Sequence, residues 1–268
     1  MSKKSTADRD RTREIREKAN AQRRLEETRR KRRRLFTQLG VAAAVVVLVA
    51  GIWGGASLLR DQAAAGSMPP TADAAVELAS GGQAQVTAEA DAVSVGAADA
   101  AVTLDVYEDY SCPHCQEYEG TTGPLLDRLA GSGQVRVIYH PIRIVTNYGR
   151  AAGSTAACVL QHDPSAWPGV HSALFANHSA ETDSWSGADF SSWLTSRGIT
   201  DPEVLTCTEK GSYAGWITAN TDAAAAAGVT GTPTLMIDGQ KTTTVSGQDL
   251  VDALTAAGAT LPSGIAAG

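Results

Sequence analysis

Val102-Thr103-Leu104-Asp105-Val106-Tyr107, then Cys112-Pro113-His114-Cys115, then Gln116-Glu117-Tyr118-Glu119 running on to Leu125, Leu126 and Leu129: this stretch decides how the chain is read. The first segment is short and β-rich. The last opens a helix whose apolar face carries the leucines. A Cys-x-x-Cys at such a strand-to-helix junction puts its first sulfur at a helix N-terminus. Unpaired backbone N–H groups and the positive end of the helix dipole favour a thiolate there. The second sulfur follows one turn later, within reach of a disulfide. The pair reads as a redox site.

Outward from this motif, Gly131-Ser132-Gly133 ends the helix and Val135–Tyr139 alternates as a second strand. A first strand is read at Val93-Ser94-Val95. Residues 61–92, with Pro69-Pro70, Gly81-Gly82 and many alanines, read as a linker. From Asn147 to about Ala227 the pattern is helical, in segments Tyr148–Gln161, Ser165–Asn177, Ala188–Ser196, Pro202–Glu209 and Tyr213–Ala227. Asp163-Pro164, Ser186 before Asp189, and Asp201-Pro202 supply the start signals. Thr234–Ile237, the Asp238-Gly239 turn and Thr242–Val245 read as a hairpin. Gln248–Ala257 closes the domain as an amphipathic helix, and 261–268 reads as a flexible tail.

Charge divides the chain. Residues 1–34 hold 15 Lys and Arg against 6 Asp and Glu, whereas 35–268 hold 8 against 23. Between the two lies Leu39–Leu59, 21 residues without a charge. At about 1.5 Å per residue this spans a bilayer core of roughly 30 Å. Arg29–Arg34 abuts its N-terminal end, so the positive-inside rule places 1–34 in the cytoplasm as a basic arm. Residues 35–60 then form a single-pass anchor, and everything after them lies outside. A signal peptide cleaved near Ala63-Ala64-Ala65 is the rival, but its leader and apolar region are normally much shorter. The arm is expected to meet the lipid bilayer rather than nucleic acid.

All four cysteines lie on the outer side, where disulfides persist. Two pairs are expected, Cys112–Cys115 and a structural Cys158–Cys207. Zinc would need a second closely spaced ligand pair, which Cys158 and Cys207 do not form. No metal or cofactor is called for. His140, His162, His171 and His178 are assigned surface or packing roles, and Trp167, Trp185, Trp193 and Trp216 a place in the helical core.

The element order resembles the DsbA-like branch of the thioredoxin superfamily. So do Tyr107-Glu108-Asp109-Tyr110-Ser111 before the cysteines and Gly228-Val229-Thr230-Gly231-Thr232-Pro233-Thr234 about 120 residues later. The layout is similar to membrane-tethered members in actinobacteria. The resemblance covers about 93–260. It implies an α/β thioredoxin-like fold carrying a helical insertion at about 147–227, in a monomer preceded by one transmembrane helix. It implies catalysis by Cys112, with Cys115 as the buried resolving thiol and with Pro113 and His114 tuning the pair. A cis Thr232-Pro233 facing them would receive substrate backbone.

The function implied is donation of the Cys112–Cys115 disulfide to unfolded exported proteins with free thiols, through a mixed disulfide at an exposed Cys112. A membrane reoxidant, quinone-linked in some of the family, would restore the disulfide. Alternatives are a reductase or isomerase on the same scaffold, for example one serving cytochrome maturation, or a binding or chaperone module. One departure stands out. Many relatives carry a buried acid six residues before the first cysteine, where this chain has Val106. Either Glu108 substitutes for it through water, or that step is absent.

Overall fold

The computed structural model describes residues 68–80, 82–243 and 246–267. The basic arm and the anchor lie outside the described residues. Among those described, no helix is long and apolar enough to cross a membrane.

Among the described residues, seven strands make one sheet in the order β1-β2-β3-β5-β4-β6-β7. They are β1 (Asp73–Glu77), β2 (Gln83–Ala88), β3 (Val93–Val95), β4 (Val102–Glu108), β5 (Val135–Pro141), β6 (Thr234–Ile237) and β7 (Gln240–Thr242). Only β4 and β5 run parallel, joined by α1 (Pro113–Gly131) as a βαβ crossover; the other neighbours are antiparallel. Along β4 burial alternates strictly, with Val102, Leu104, Val106 and Glu108 facing inward. Leu125, Leu126 and Leu129 of α1 belong to the same core as these valines and as Val135 and Val137 of β5.

Between β5 and β6 the chain forms α2 (Asn147–His162), α3 (Trp167–Asn177), α4 (Gly187–Ser196), α5 (Pro202–Lys210) and α6 (Ala214–Ala226). This matches the helical block read from the sequence, with boundaries shifted by a residue or two. The Thr146 hydroxyl caps α2, Ser186 and Asp189 form a reciprocal capping box on α4, and Asp201 caps α5. Trp167, Trp193 and Trp216 are buried in the core and Trp185 is half-buried against it. Cys158 in α2 and Cys207 in α5 form a disulfide. The closing helix α7 (Gly247–Ala256) buries Leu250 and Leu254.

Three readings need correction. The segment 73–88, read as part of a linker, is the β1–β2 hairpin, which extends the sheet beyond β3. Its hydrophobic signal is weak because Val76, Ala84 and Val86 supply most of its buried surface. The last hairpin closes tighter than expected: Ile237 pairs with Gln240 across Asp238-Gly239, so β7 begins two residues before Thr242. Both turn residues have positive φ, 47° and 73°, the backbone of a type I′ turn. The tail is docked rather than loose over 261–267. Leu261 and Ile265 pack against the core, and the Arg128 Nε–H donates to the Ile265 carbonyl at 2.8 Å.

Candidate active site

Cys112 stands at the N-cap of α1, where its sulfur occupies the place of a capping side chain, and Pro113 begins the helix. Proline fits there because the first helical N–H has no intrahelical partner to lose. The Cys112 N–H donates to the Asp109 carbonyl at 2.9 Å, closing a turn that aims the cysteine across the C-terminal end of β4.

The loop before β6 meets it. Thr232-Pro233 is cis, and the Thr232 carbonyl lies 3.5 Å from Cys112 Sγ. Residues 120 positions apart thus form one site, as the two motifs implied. Cys112 and Cys115 are unbridged in this structure. Pro113 and His114 are exposed. Among the described residues, no hydrogen bond links His114 to either sulfur.

Cys112, expected to be exposed, is only 5% accessible. The Thr232 carbonyl on one side and the Asp109 turn on the other leave only an edge of the sulfur to solvent. Cys115, at 1%, lies behind it. Burial pushes the Cys115 thiol well above its ordinary range. Contacts with the Asp109 backbone and the Thr232 side chain offset part of this, while charge on Cys112 and Glu108 adds to it.

Val106 is fully buried, and Glu108, two residues on, shares its face. Burial above all, then the charges of Glu119 and Asp109, hold the Glu108 carboxyl well above the usual carboxylate range. Glu108 is thus a buried acid on the face of Val106, one strand repeat nearer the cysteines. Asp105 sits on the half-buried side of β4 and meets His140 Nε2 at 2.9 Å.

Two groups beside the cysteines were not singled out from sequence. Asp109 is fully buried. Its Oδ1 accepts from the Ser111 N–H and hydroxyl at 2.8 and 2.6 Å, and its Oδ2 from the Ile144 and Val145 N–H groups at 2.6 and 2.8 Å. This clamp fastens the loop after β5 to the approach to Cys112. It leaves the side chains of Ile144 and Val145 exposed, an apolar ledge beside the motif. The second is His171 of α3, buried behind the site, whose Nδ1 lies 2.8 Å from the Tyr110 hydroxyl. A lone histidine in a helix 59 residues after Cys112 carries no local signal of this placement. Among the described residues, no group of three or more His, Cys, Asp or Glu side chains is placed to hold a metal.

A thioredoxin family model matches residues 88–256, well over half of the chain. The chain belongs to the thioredoxin family. Among solved structures, the oxidised DsbA of Mycobacterium tuberculosis is 25% identical, with 65% of this chain and 96% of that one covered and a TM-score of 0.54. The reduced disulfide oxidoreductase DsbG of M. tuberculosis is also 25% identical, covering 65% and 90%, with a TM-score of 0.57. MdbA, a thiol-disulfide oxidoreductase from Corynebacterium diphtheriae, shares the fold at 21% identity, a TM-score of 0.51 and coverage of 70% and 94%. The serine/threonine-protein kinase PknE of M. tuberculosis is 29% identical over 94 residues, which are 32% of this chain and 17% of the kinase. The likeness to PknE thus spans about a sixth of that protein. With a Cys-x-x-Cys at the family's active position, facing a cis-proline loop, this member is a thiol:disulfide oxidoreductase.

Proposed function

We propose that the chain is an extracytoplasmic oxidase that donates its Cys112–Cys115 disulfide to newly exported proteins. The observation that carries this is the burial of Cys115 beside the Glu108 carboxyl while Cys112 keeps an open edge at the helix start. A substrate thiolate attacks Cys112 Sγ, the Cys112–Cys115 bond breaks, and the electron pair goes to Cys115. Glu108, whose carboxyl burial holds well above the usual carboxylate range, supplies a proton to that sulfur. A second substrate thiolate then attacks the substrate sulfur of the mixed disulfide, and Cys112 leaves as a thiolate at the helix N-terminus. The substrate has lost two electrons to the enzyme pair; one proton stays on Cys115 and the other goes to solvent.

The Thr232 carbonyl beside Cys112 suits an extended backbone in the substrate, and Ile144 and Val145 suit its apolar side chains. Unfolded thiol-bearing proteins are the clients that this surface fits. The apolar stretch at 39–59 and the basic arm before it support a membrane anchor with the catalytic domain outside. In this reading the protein acts as a monomer, and a membrane partner restores its disulfide.

The test is the redox equilibrium of the full chain against a glutathione series, read by alkylation and mass. An oxidase has Cys112–Cys115 reduced even in oxidising buffer while Cys158–Cys207 stays closed. In the Cys115→Ser variant, a mixed disulfide with client protein is expected to accumulate on Cys112. If Cys112–Cys115 resists reduction as strongly as the other pair, the oxidase reading fails and a reductase takes its place.

A further inference from the structure

Behind Cys115 lies a set of polar groups that disulfide donation alone does not use. Glu108 Oε1 of β4, Glu119 Oε2 and the Tyr118 hydroxyl of α1, and His171 Nε2 of α3 are all buried without a hydrogen-bond partner. Three of them face one another. His171 Nε2 lies 3.5 Å from Glu108 Oε1 and 3.9 Å from Glu119 Oε2. Leaving buried polar atoms unpaired is costly, so three such atoms facing one another call for an explanation. The imidazole is held by aromatic rings. It stacks on Trp167 at 4.8 Å between ring centroids and meets Tyr139 at 4.8 Å and Phe175 at 5.4 Å.

Glu119 leads outward. Its Oε1 accepts from the Ser172 hydroxyl, and both residues line a groove of about 430 Å³ between α1, α3 and the β1–β2 turn. Gly123 makes room for the carboxyl, since a Cβ there would lie 2.7 Å from Glu119 Oε1. Asp127 also lines the groove.

We propose that Glu108, His171 and Glu119 form a proton path that connects Cys115 with solvent in this groove. The proposal rests on the exchange reaction at Cys112 and serves either direction of electron flow. When the Cys115 sulfur receives its electron pair, the Glu108 proton moves to it and leaves a carboxylate. The Glu119 proton passes by way of His171 Nε2 to Glu108, and groove water reprotonates Glu119. His171 is neutral before and after. The tautomer required carries its proton on Nδ1, donated to the Tyr110 oxygen. In the opposite direction the same path drains the Cys115 proton.

The protonation states fit. Burial raises both glutamates, which favours their protonated forms, and pushes His171 down to about 3, which favours its neutral form. The other ionisable groups turned toward the cluster, Tyr110, Tyr118 and Tyr139, are pushed up by burial and by these glutamates and stay neutral. Asp127 at the groove is raised to about 6, chiefly by burial, which suits it to exchange protons with water near neutrality.

The test is single-turnover reduction of the oxidised full chain by dithiothreitol, quenched by alkylation, from pH 5 to 9. The variants are Glu119→Gln, His171→Phe and Glu119→Ala. The first two are expected to react about 10- to 100-fold more slowly than wild type at pH 7, with an altered pH profile. Imidazole in the buffer is expected to restore much of the rate to Glu119→Ala, whose truncation opens the path to the groove, and to leave wild type unchanged. Wild-type rates in Glu119→Gln and His171→Phe would overturn the path while leaving the exchange chemistry standing. So would a slowing that is uniform in pH and deaf to imidazole, because that marks a structural defect. If wild type itself does not exchange with dithiothreitol, the exchange reading falls and the path falls with it.

Discussion

Asp109 does at the scale of one residue what the motif needs most, which is to hold Cys112 in place. Its two oxygens take four donors from Ser111, Ile144 and Val145, and it has no access to water. In Asp109→Ala these donors lose their acceptor, and a loss of about 3 kcal/mol in urea unfolding is expected. Gly149 is the counterpart. A Cβ there would stand 2.0 Å from Asp109 Oδ1, an oxygen pinned by its own hydrogen bonds, so Gly149→Ala is expected to cost about as much. The same Gly149→Ala change made in the Asp109→Ala background should cost far less, because the clash has gone. Equal costs in both backgrounds would remove Asp109 as the reason for the glycine. Asp109 was visible in sequence only as part of the approach to Cys112. Its partners at 144, 145 and 149 lie across a strand and a helix and carry no matching pattern.

Among the elements, α2 and α5 are joined covalently by Cys158–Cys207, 49 residues apart. Closing a loop of that length contributes about 4 kcal/mol in the chain-entropy account. The double variant Cys158→Ala/Cys207→Ala is expected to lose about that much in denaturant unfolding while its exchange rate with dithiothreitol stays at the wild-type value. A fall in that rate at unchanged stability would make the second pair a redox partner of the first. This pairing was legible by count alone, since two cysteines remain once the Cys-x-x-Cys is set aside. The helices were legible from their caps and apolar spacing. The β1–β2 hairpin was not, because its alternation is carried by alanines and two valines, and its pairing onto β3 supplies what its own sequence lacks.

For the molecule as a whole, the buried cluster makes stability depend on pH in two opposed ways. The folded His171 binds its proton only near pH 3, against an ordinary value near 6.5. The unfolded chain therefore holds more protons between those values, and stability falls as pH drops through that window. Glu108 and Glu119 are raised in the folded state, so there the folded chain holds more protons above the ordinary glutamate value near 4.5. Their contribution falls as pH rises from there toward their folded values. Glu108→Gln is accordingly expected to match wild type near pH 4 and to exceed it in stability at pH 8, in urea unfolding across a pH series. A variant that is weaker than wild type at pH 8 would mean that Glu108 is ionised in the folded protein.

By itself the sequence determined the redox pair, its strand-to-helix setting, the proline loop opposite it, the order of the elements and the second disulfide. Each of these is written in a few adjacent residues, in a residue count, or in a spacing that backbone geometry turns directly into structure. Only the tertiary structure decided that Cys112 is nearly covered, that a buried Glu108 shares the face of Val106, and that His171 and Glu119 converge on it. These depend on side chains 11 and 63 positions from Glu108, brought together by the packing of α1 and α3 over β4. No local propensity encodes such a meeting, because the free energy that makes it comes from burying the aromatic and aliphatic surface around it.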